Sequence, residues 1–231
     1  MSGHSKWHNI QKTKGAQDAK RAAVFTKISK EMIVAVKEGG GIADPAYNSR
    51  LATAITKAKA ANMPNDNIKR VLEKAAAAGS GDSYETINYE GHGPCGVSVI
   101  VETMTDNRNR TAGNIRHHFD KYGGALGTNG CVSWMFDKKG VIVIDNEDGD
   151  LVEDNVMMDA LDAGAADFEP EEDCFTVYTD PDDFNAVAKA LEEKGYHFES
   201  AQIEMVPQNY QKLEKQEDID NMEKMLDIFE D

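Results

Sequence analysis

The apolar positions of the chain change their period once, near residue 83. Before that point they recur every three or four residues, as the buried stripe of a helix does. After it, stretches of period two alternate with helical stretches. Phe25, Ile28, Met32 and Val36 follow i, i+3, i+7, i+11 and predict a helix from about Asp18. Gly39-Gly40-Gly41 would close it, because glycine readily takes the left-handed conformation of a helix end. Leu51, Ala54, Ile55 and Ala58 predict a second helix over about 45–61, with Asp44 as N-cap and Pro45 in its first position. Ile68, Val71, Leu72 and Ala75 predict a third from Pro64 to Gly79. Three short, Ala-rich helices with small connections make a helical domain with a thin core.

Ser80-Gly81-Asp82-Ser83 reads as a linker. Residues 84–90 and 97–104 predict strands around a Gly91-His92-Gly93-Pro94 turn. A helix over about 107–122 follows, then a loop carrying Gly123, Gly124, Gly127 and Gly130, then a strand over 131–136. The stretch from Lys139 to Val206 predicts strand 141–145, helix 151–163, strand 167–170, strand 174–179, helix 182–194 behind Asp180-Pro181, and strand 197–206. That order, β-α-β-β-α-β, is ferredoxin-like. Ile219, Met222, Met225, Leu226 and Phe229 predict a last helix over 216–229. The expected fold class is α+β, with a three-helix N-terminal domain.

Charge changes this picture. Residues 1–80 carry 14 Lys and Arg against 6 Asp and Glu, whereas residues 81–231 carry 11 against 35, for a net charge of −16. Like charges gathered together repel, so a basic block of this kind answers to a polyanion. The net charge alone would have argued against nucleic acid. No apolar run approaches the length of a transmembrane helix, and residues 1–17 lack the apolar core of a signal peptide. A cytoplasmic protein with no membrane partner is expected. Cys95, Cys131 and Cys174 are isolated, and His4 and His8 have no third ligand near them, so no metal and no cofactor is expected.

Candidate chemistry begins with the arm. Lys6, Lys12 and Lys14 have no acid before Asp18 and surround Trp7. Cations beside an aromatic ring suit phosphate contact with base stacking; a solvated arm with Trp7 folded back on the helices is the plainer reading. Lys20, Lys27, Lys30 and Lys37 fall on one arc of the first helix, and only Lys27 has a well-spaced acid, Glu31. Arg108 and Arg110 stand near the positive end of a helix dipole, an unfavourable place for a cation. Asp106 offsets Arg110 and Asp120 offsets Arg116, but Arg108 has no such local partner. It would either grip phosphate with its guanidinium fork or bridge to the acidic half of the chain. No phosphate-binding loop, zinc-protease, nucleophile-elbow or dinucleotide fingerprint occurs, and no catalytic constellation is expected.

Several motifs then resemble one family. Gly3-His4-Ser5-Lys6-Trp7 with Ile10, Ala16-Gln17-Asp18-Ala19-Lys20-Arg21 and Phe25-Thr26-Lys27 resemble the opening of the YebC/PmpR family. Asn62-Met63-Pro64 with Asn67-Ile68, Tyr89-Glu90-Gly91 with Gly93-Pro94, the run Thr105–Thr111, Gly123-Gly124 with Leu126-Gly127, and Trp134-Met135-Phe136 extend the likeness over almost the whole chain. His8 and Cys95 stand where smaller residues are common. Members usually continue with further acids, Val-Gln and an aromatic, whereas this chain stops at Phe229-Glu230-Asp231.

The resemblance implies three domains. These are a basic helical domain over 1–79, an α+β middle domain over 80–137 completed by 207–231, and an acidic ferredoxin-like domain, 138–206, inserted between the two pieces. It implies a non-enzymatic transcriptional regulator that binds DNA, or a ribosome-associated factor that binds ribosomal RNA and relieves stalling at proline-rich stretches. The expected binding residues are Lys6, Trp7, Lys12, Lys14, Lys20, Arg21 and Lys27, extended by Arg108, Arg110 and Arg116. A third expectation is an adaptor that meets a protein partner through its acidic ferredoxin-like domain.

Overall fold

The structure, a computed structural model, describes residues 17–77 and 84–230, and only the backbone of 17–20. In chain order its elements are α1 (Gln17–Glu38), α2 (Ser49–Ala60), α3 (Asn65–Ala77), β1 (Glu85–His92), β2 (Ser98–Thr105), α4 (Arg108–Lys121), β3 (Ala125–Leu126), β4 (Phe136–Asp145), α5 (Glu153–Ala163), β5 (Asp167–Pro170), β6 (Cys174–Thr179), α6 (Phe184–Glu193), β7 (Phe198–Pro207) and α7 (Gln216–Glu230). The chain divides into two compact units, residues 1–79 with 138–204, and residues 80–137 with 205–231. The fold class is α+β, as the periodicity predicts.

In the first unit, Ile28, Met32 and Val36 of α1 meet Leu51, Ala54 and Ala58 of α2 and Ile68 and Ala75 of α3. Gly40 and Gly41, both at positive φ, end α1 where the glycine run predicts. The start of α2 is a correction. The helix begins at Ser49 rather than at Pro45, and its N-cap is Asn48. The Asn48 side-chain oxygen accepts the Leu51 N–H at 3.0 Å, while its amide donates to the Ala35 carbonyl at 2.9 Å and the Ile42 carbonyl at 3.0 Å. Asp44 instead closes a separate turn, accepting the Ala46 N–H at 2.9 Å. Asn48 wins because it satisfies two carbonyls that a carboxylate, which only accepts, cannot.

The ferredoxin-like part of this unit forms one sheet in the order β5-β6-β4-β7. The β4–β6 register runs from Gly140 opposite Thr179 to Asp145 opposite Cys174, antiparallel. Ile142, Ile144, Phe175 and Val177 of the strands pack against Val156 and Ala160 of α5 and Phe184, Val187 and Leu191 of α6. The helical layer joins this core at Ala60. Beside it Asn185 donates to the Ser49 carbonyl, and Lys59 pairs with Glu192 at 3.0 Å.

In the second unit β1 and β2 form a full antiparallel hairpin, Glu85 opposite Thr105 and His92 opposite Ser98. The strand therefore runs through Gly91 and His92, which the sequence places in the turn. At Gly91 an added Cβ would lie 2.6 Å from the Ala125 carbonyl and 2.8 Å from the Phe119 ring, so only glycine allows β3 and α4 this close. Val99, Val101, Ile115, Phe119, Tyr122 and Met225 form the core between the hairpin, α4 and α7. The strand predicted over 131–136 is overturned: Ser133–Met135 is a 3-10 turn, and β4 starts only at Phe136. Among the described residues, no helix is long and apolar enough to cross a membrane.

Candidate nucleic-acid interface

Lys6, Trp7, Lys12 and Lys14 lie outside the described residues, and of Lys20 only its place in α1 is described. On the same helix Arg21 is exposed, whereas Lys27 and Lys30 are half-buried and already engaged within the protein. Glu31, the acid expected to serve Lys27, accepts instead from Lys57 of α2 at 2.7 Å. Packing of α1 on α2 brings that lysine across, which spacing along one helix does not reveal. Lys37, on the last turn of α1, is exposed and has no ion pair among the described residues.

The exposed face of α3 carries three cations that charge-run reasoning passed over. Ile68 and Ala75 are buried and Val71 and Leu72 half-buried, so Lys69, Arg70 and Lys74 face solvent. Asp66 and Glu73 stand four residues from Arg70 and Lys69, yet none of the three cations forms an ion pair among the described residues. The signal that finds them is the helical phase itself: apolar residues at 68, 71, 72 and 75 leave 69, 70 and 74 outward.

In the second unit the three arginines of α4 do not share one side. At about 100° per residue, Arg108 and Arg116 lie about 80° apart, and Arg110 is about 120° or more from each. Asn107 is the N-cap, its side chain accepting the Arg110 N–H at 3.0 Å. Arg110 pairs with Asp106, as its spacing predicts. Arg108 is not without a partner: its guanidinium donates to both carboxylate oxygens of Glu85 on β1, at 2.7 and 3.3 Å. That bond, together with the carboxylate's charge, raises the already high pKa of Arg108. Both side chains remain substantially exposed, so solvent screens the pair. Arg116 is exposed and has no ion pair among the described residues, Asp120 notwithstanding.

A different structure on this unit escaped the sequence entirely. Glu90, at 8% exposure, turns its carboxylate to the loop after β3 and accepts the backbone N–H groups of Gly130 (2.8 Å), Val132 (3.0 Å) and Ser133 (2.8 Å). Burial by itself would raise the pKa of this carboxyl. The three backbone donors together outweigh that and hold it below the ordinary carboxylate value. The loop so held presents Trp134 to solvent. Among the described residues, no group of three His, Cys, Asp or Glu side chains is placed to hold a metal ion.

Comparison with known proteins agrees with this architecture. A model of the TACO1/YebC protein N-terminal domain matches residues 5–78, and one of the TACO1/YebC second and third domain matches residues 84–231. A probable transcriptional regulatory protein of Ruminiclostridium cellulolyticum is 54% identical over 231 residues, covering 100% of this chain and 92% of that protein. One of Clostridioides difficile is 55% identical over 223 residues, covering 96% and 92%. The crystal structure of a conserved hypothetical protein, Aq1575, from Aquifex aeolicus superposes with a TM-score of 0.82 at 39% identity, covering 95% of this chain and 89% of that one.

Proposed function

The chain belongs to the TACO1/YebC family, and from that premise we propose that it is a non-enzymatic regulatory protein that binds nucleic acid. The observation that carries the reading is the set of exposed cations on the helical layer, Lys37, Lys69, Arg70 and Lys74, without carboxylate partners among the described residues of a chain whose net charge is −16. With so many acids available, cations left unpaired are available to phosphate. Arg21 adds to this set, and the arm residues Lys6, Trp7, Lys12 and Lys14 together with Lys20 would extend it; Lys27, already engaged within the protein, would meet phosphate only by exchanging that partner. Arg108, Arg110 and Arg116 would act as a second, partly neutralised group.

Duplex DNA is the first ligand this reading names, in keeping with the regulatory name carried by the relatives. The sequence has no helix-turn-helix or other base-reading module, so recognition would rest on backbone and shape. Ribosomal RNA offers the same features and is the second ligand to test. The segment 138–206 holds four Lys against twenty Asp and Glu and no Arg. It would face away from a polyanion and leave an acidic surface for a basic protein partner.

The test is a salt titration of the full chain on duplex DNA and on a ribosomal RNA fragment, read by anisotropy. The logarithm of the binding constant should fall linearly with the logarithm of salt, with a slope of about −0.9 per phosphate contacted on duplex DNA. Retention that does not change between low and high salt on either ligand sinks the proposal. The tighter of the two ligands at physiological salt decides between DNA and ribosomal RNA.

A further inference from the structure

We infer that Trp134 is a fixed stacking platform for an unpaired base of single-stranded nucleic acid. The inference rests on the reading that the chain binds nucleic acid and adds to it a site that charge does not reveal.

Trp134 is 70% exposed, yet it is not loose. Its indole N–H donates to the Cys131 carbonyl at 3.1 Å. Next to it, the Gln208 backbone N–H donates to the Met135 carbonyl at 2.9 Å, and the Gln208 side-chain amide donates to Asp137 at 3.1 Å. Behind it, the Glu90 carboxylate takes the backbone donors of Gly130, Val132 and Ser133, and the Glu90 carbonyl takes that of Gly127 at 2.8 Å. The loop is also drawn tight, since a Cβ on Gly127 would lie 2.4 Å from the Cys131 sulfur. A buried carboxylate, a close-packed glycine and a glutamine just past β7 thus hold in one place a residue that contributes little to the core.

Folding alone does not account for an arrangement whose product is a large apolar ring in water. The polar edge of the indole is already used within the loop, so what the ring offers is its π-face. A base needs no more than that, and stacking tolerates any base. Among the described residues of this unit, the exposed large apolar side chains are Trp134 and Tyr210. Both are aromatic, and no exposed Leu, Ile, Val or Met surrounds them to form the wider apolar patch of a protein-docking surface.

The experiment compares a labelled single-stranded RNA of about 12 nucleotides, within the length one such surface covers, with its matching duplex, by anisotropy on the full chain. Trp134→Ala is expected to weaken single-strand binding roughly tenfold, the worth of one stacked base, and to leave duplex binding within about twofold. Trp134→Tyr should recover most of the affinity, which a merely structural role for the indole N–H would not allow. Arg70→Glu with Lys74→Glu should weaken both ligands. If Trp134→Ala binds the single strand as the unmutated chain does, while the cation variant is weakened, stacking is wrong and nucleic-acid binding stands. If the unmutated chain binds neither oligonucleotide at low salt, both readings fall. If Trp134→Ala loses a co-purifying protein and keeps its RNA affinity, the ring is a protein contact and the inference is overturned.

Discussion

The carboxylate of Glu90 accepts the backbone N–H of Ser133 at 2.8 Å, across forty-three residues of chain. It does the same for Gly130 and Val132, so one side chain holds the loop that the glycines begin. A glutamine of the same shape offers one oxygen and would turn an NH2 toward a backbone donor. Glu90→Gln is therefore expected to destabilise the second unit by about 2 kcal/mol, the worth of a buried hydrogen bond to a charged group. The pH dependence has a definite sign. The folded pKa lies below its unfolded value of about 4.3, so the stabilisation is fully present above that pH and is lost as pH falls through the folded value. Chemical denaturation from neutral pH down to about 3 should show this slope in the unmutated protein and its disappearance in Glu90→Gln.

Asn48 gives a prediction on the first unit. Its side chain makes one accepted and two donated bonds, and the residue is buried. Losing the cap costs about 1 kcal/mol, and leaving two carbonyls unpaired adds to it, so Asn48→Ala should cost roughly 3 kcal/mol. Asn48→Asp keeps the cap but points a carboxylate at the Ala35 and Ile42 carbonyls, and should be no better than alanine. If Asn48→Asp proves as stable as the unmutated chain in a thermal melt, the two donated bonds are not what fixes the start of α2.

Asn48 also shows where sequence reading stops. The ferredoxin-like order could be read because each strand is a short apolar run between turn signals, and each helix has one inward phase. Strands 167–170 and 174–179 emerge with the predicted bounds. The start of α2 could not, because Asp44 and Asn48 are both good caps locally, and the choice between them is made by the carbonyls of Ala35 on α1 and Ile42 in the loop after it. The alternation of Val132, Trp134 and Phe136 imitates a strand, but the backbone donors of that stretch go to a carboxylate some forty residues upstream. The candidate site divides the same way. Clustering of cations is legible from composition, whereas the pairing of Arg108 with Glu85 and of Lys57 with Glu31 depends on tertiary contact.

The Arg108–Glu85 pair permits a test of the second cationic group. Both side chains are exposed, so truncating either should change stability by less than a denaturation experiment resolves. Binding should respond in opposite directions. Arg108→Ala is expected to weaken duplex affinity, while Glu85→Gln frees the guanidinium and should strengthen it. Identical affinities for both variants and the unmutated chain at low salt would remove Arg108 from the interface.

The face of α3 should dominate the salt dependence if its cations meet phosphate. Reversing Lys69, Arg70 and Lys74 together should flatten the log–log salt slope by about 0.9 for each phosphate that is no longer neutralised. Because all three are exposed, the melting temperature should hardly move. A slope unchanged by triple reversal would place the phosphate-binding cations elsewhere on the chain.

The last prediction concerns the ferredoxin-like part and alkaline pH. The Tyr196 hydroxyl donates to Asp159 at 2.6 Å, and Lys194 pairs with the same carboxylate. Burial of the phenol, and then its bond to Asp159, push its pKa up to about 12. The Asp159 carboxyl is held below its ordinary value by Lys194 first and Tyr196 second. The folded pKa of Tyr196 lies above the unfolded value of about 10, so the stabilisation is fully present below pH 10 and fades as pH rises toward 12. The Tyr196 phenol should therefore ionise well after an unperturbed tyrosine does. Asp159→Asn removes the charge and should bring that titration back toward 10, without abolishing the part due to burial. A phenolate absorbance titration that shows no late-ionising tyrosine in the unmutated chain, or the same late step in Asp159→Asn, would break the link between the two residues.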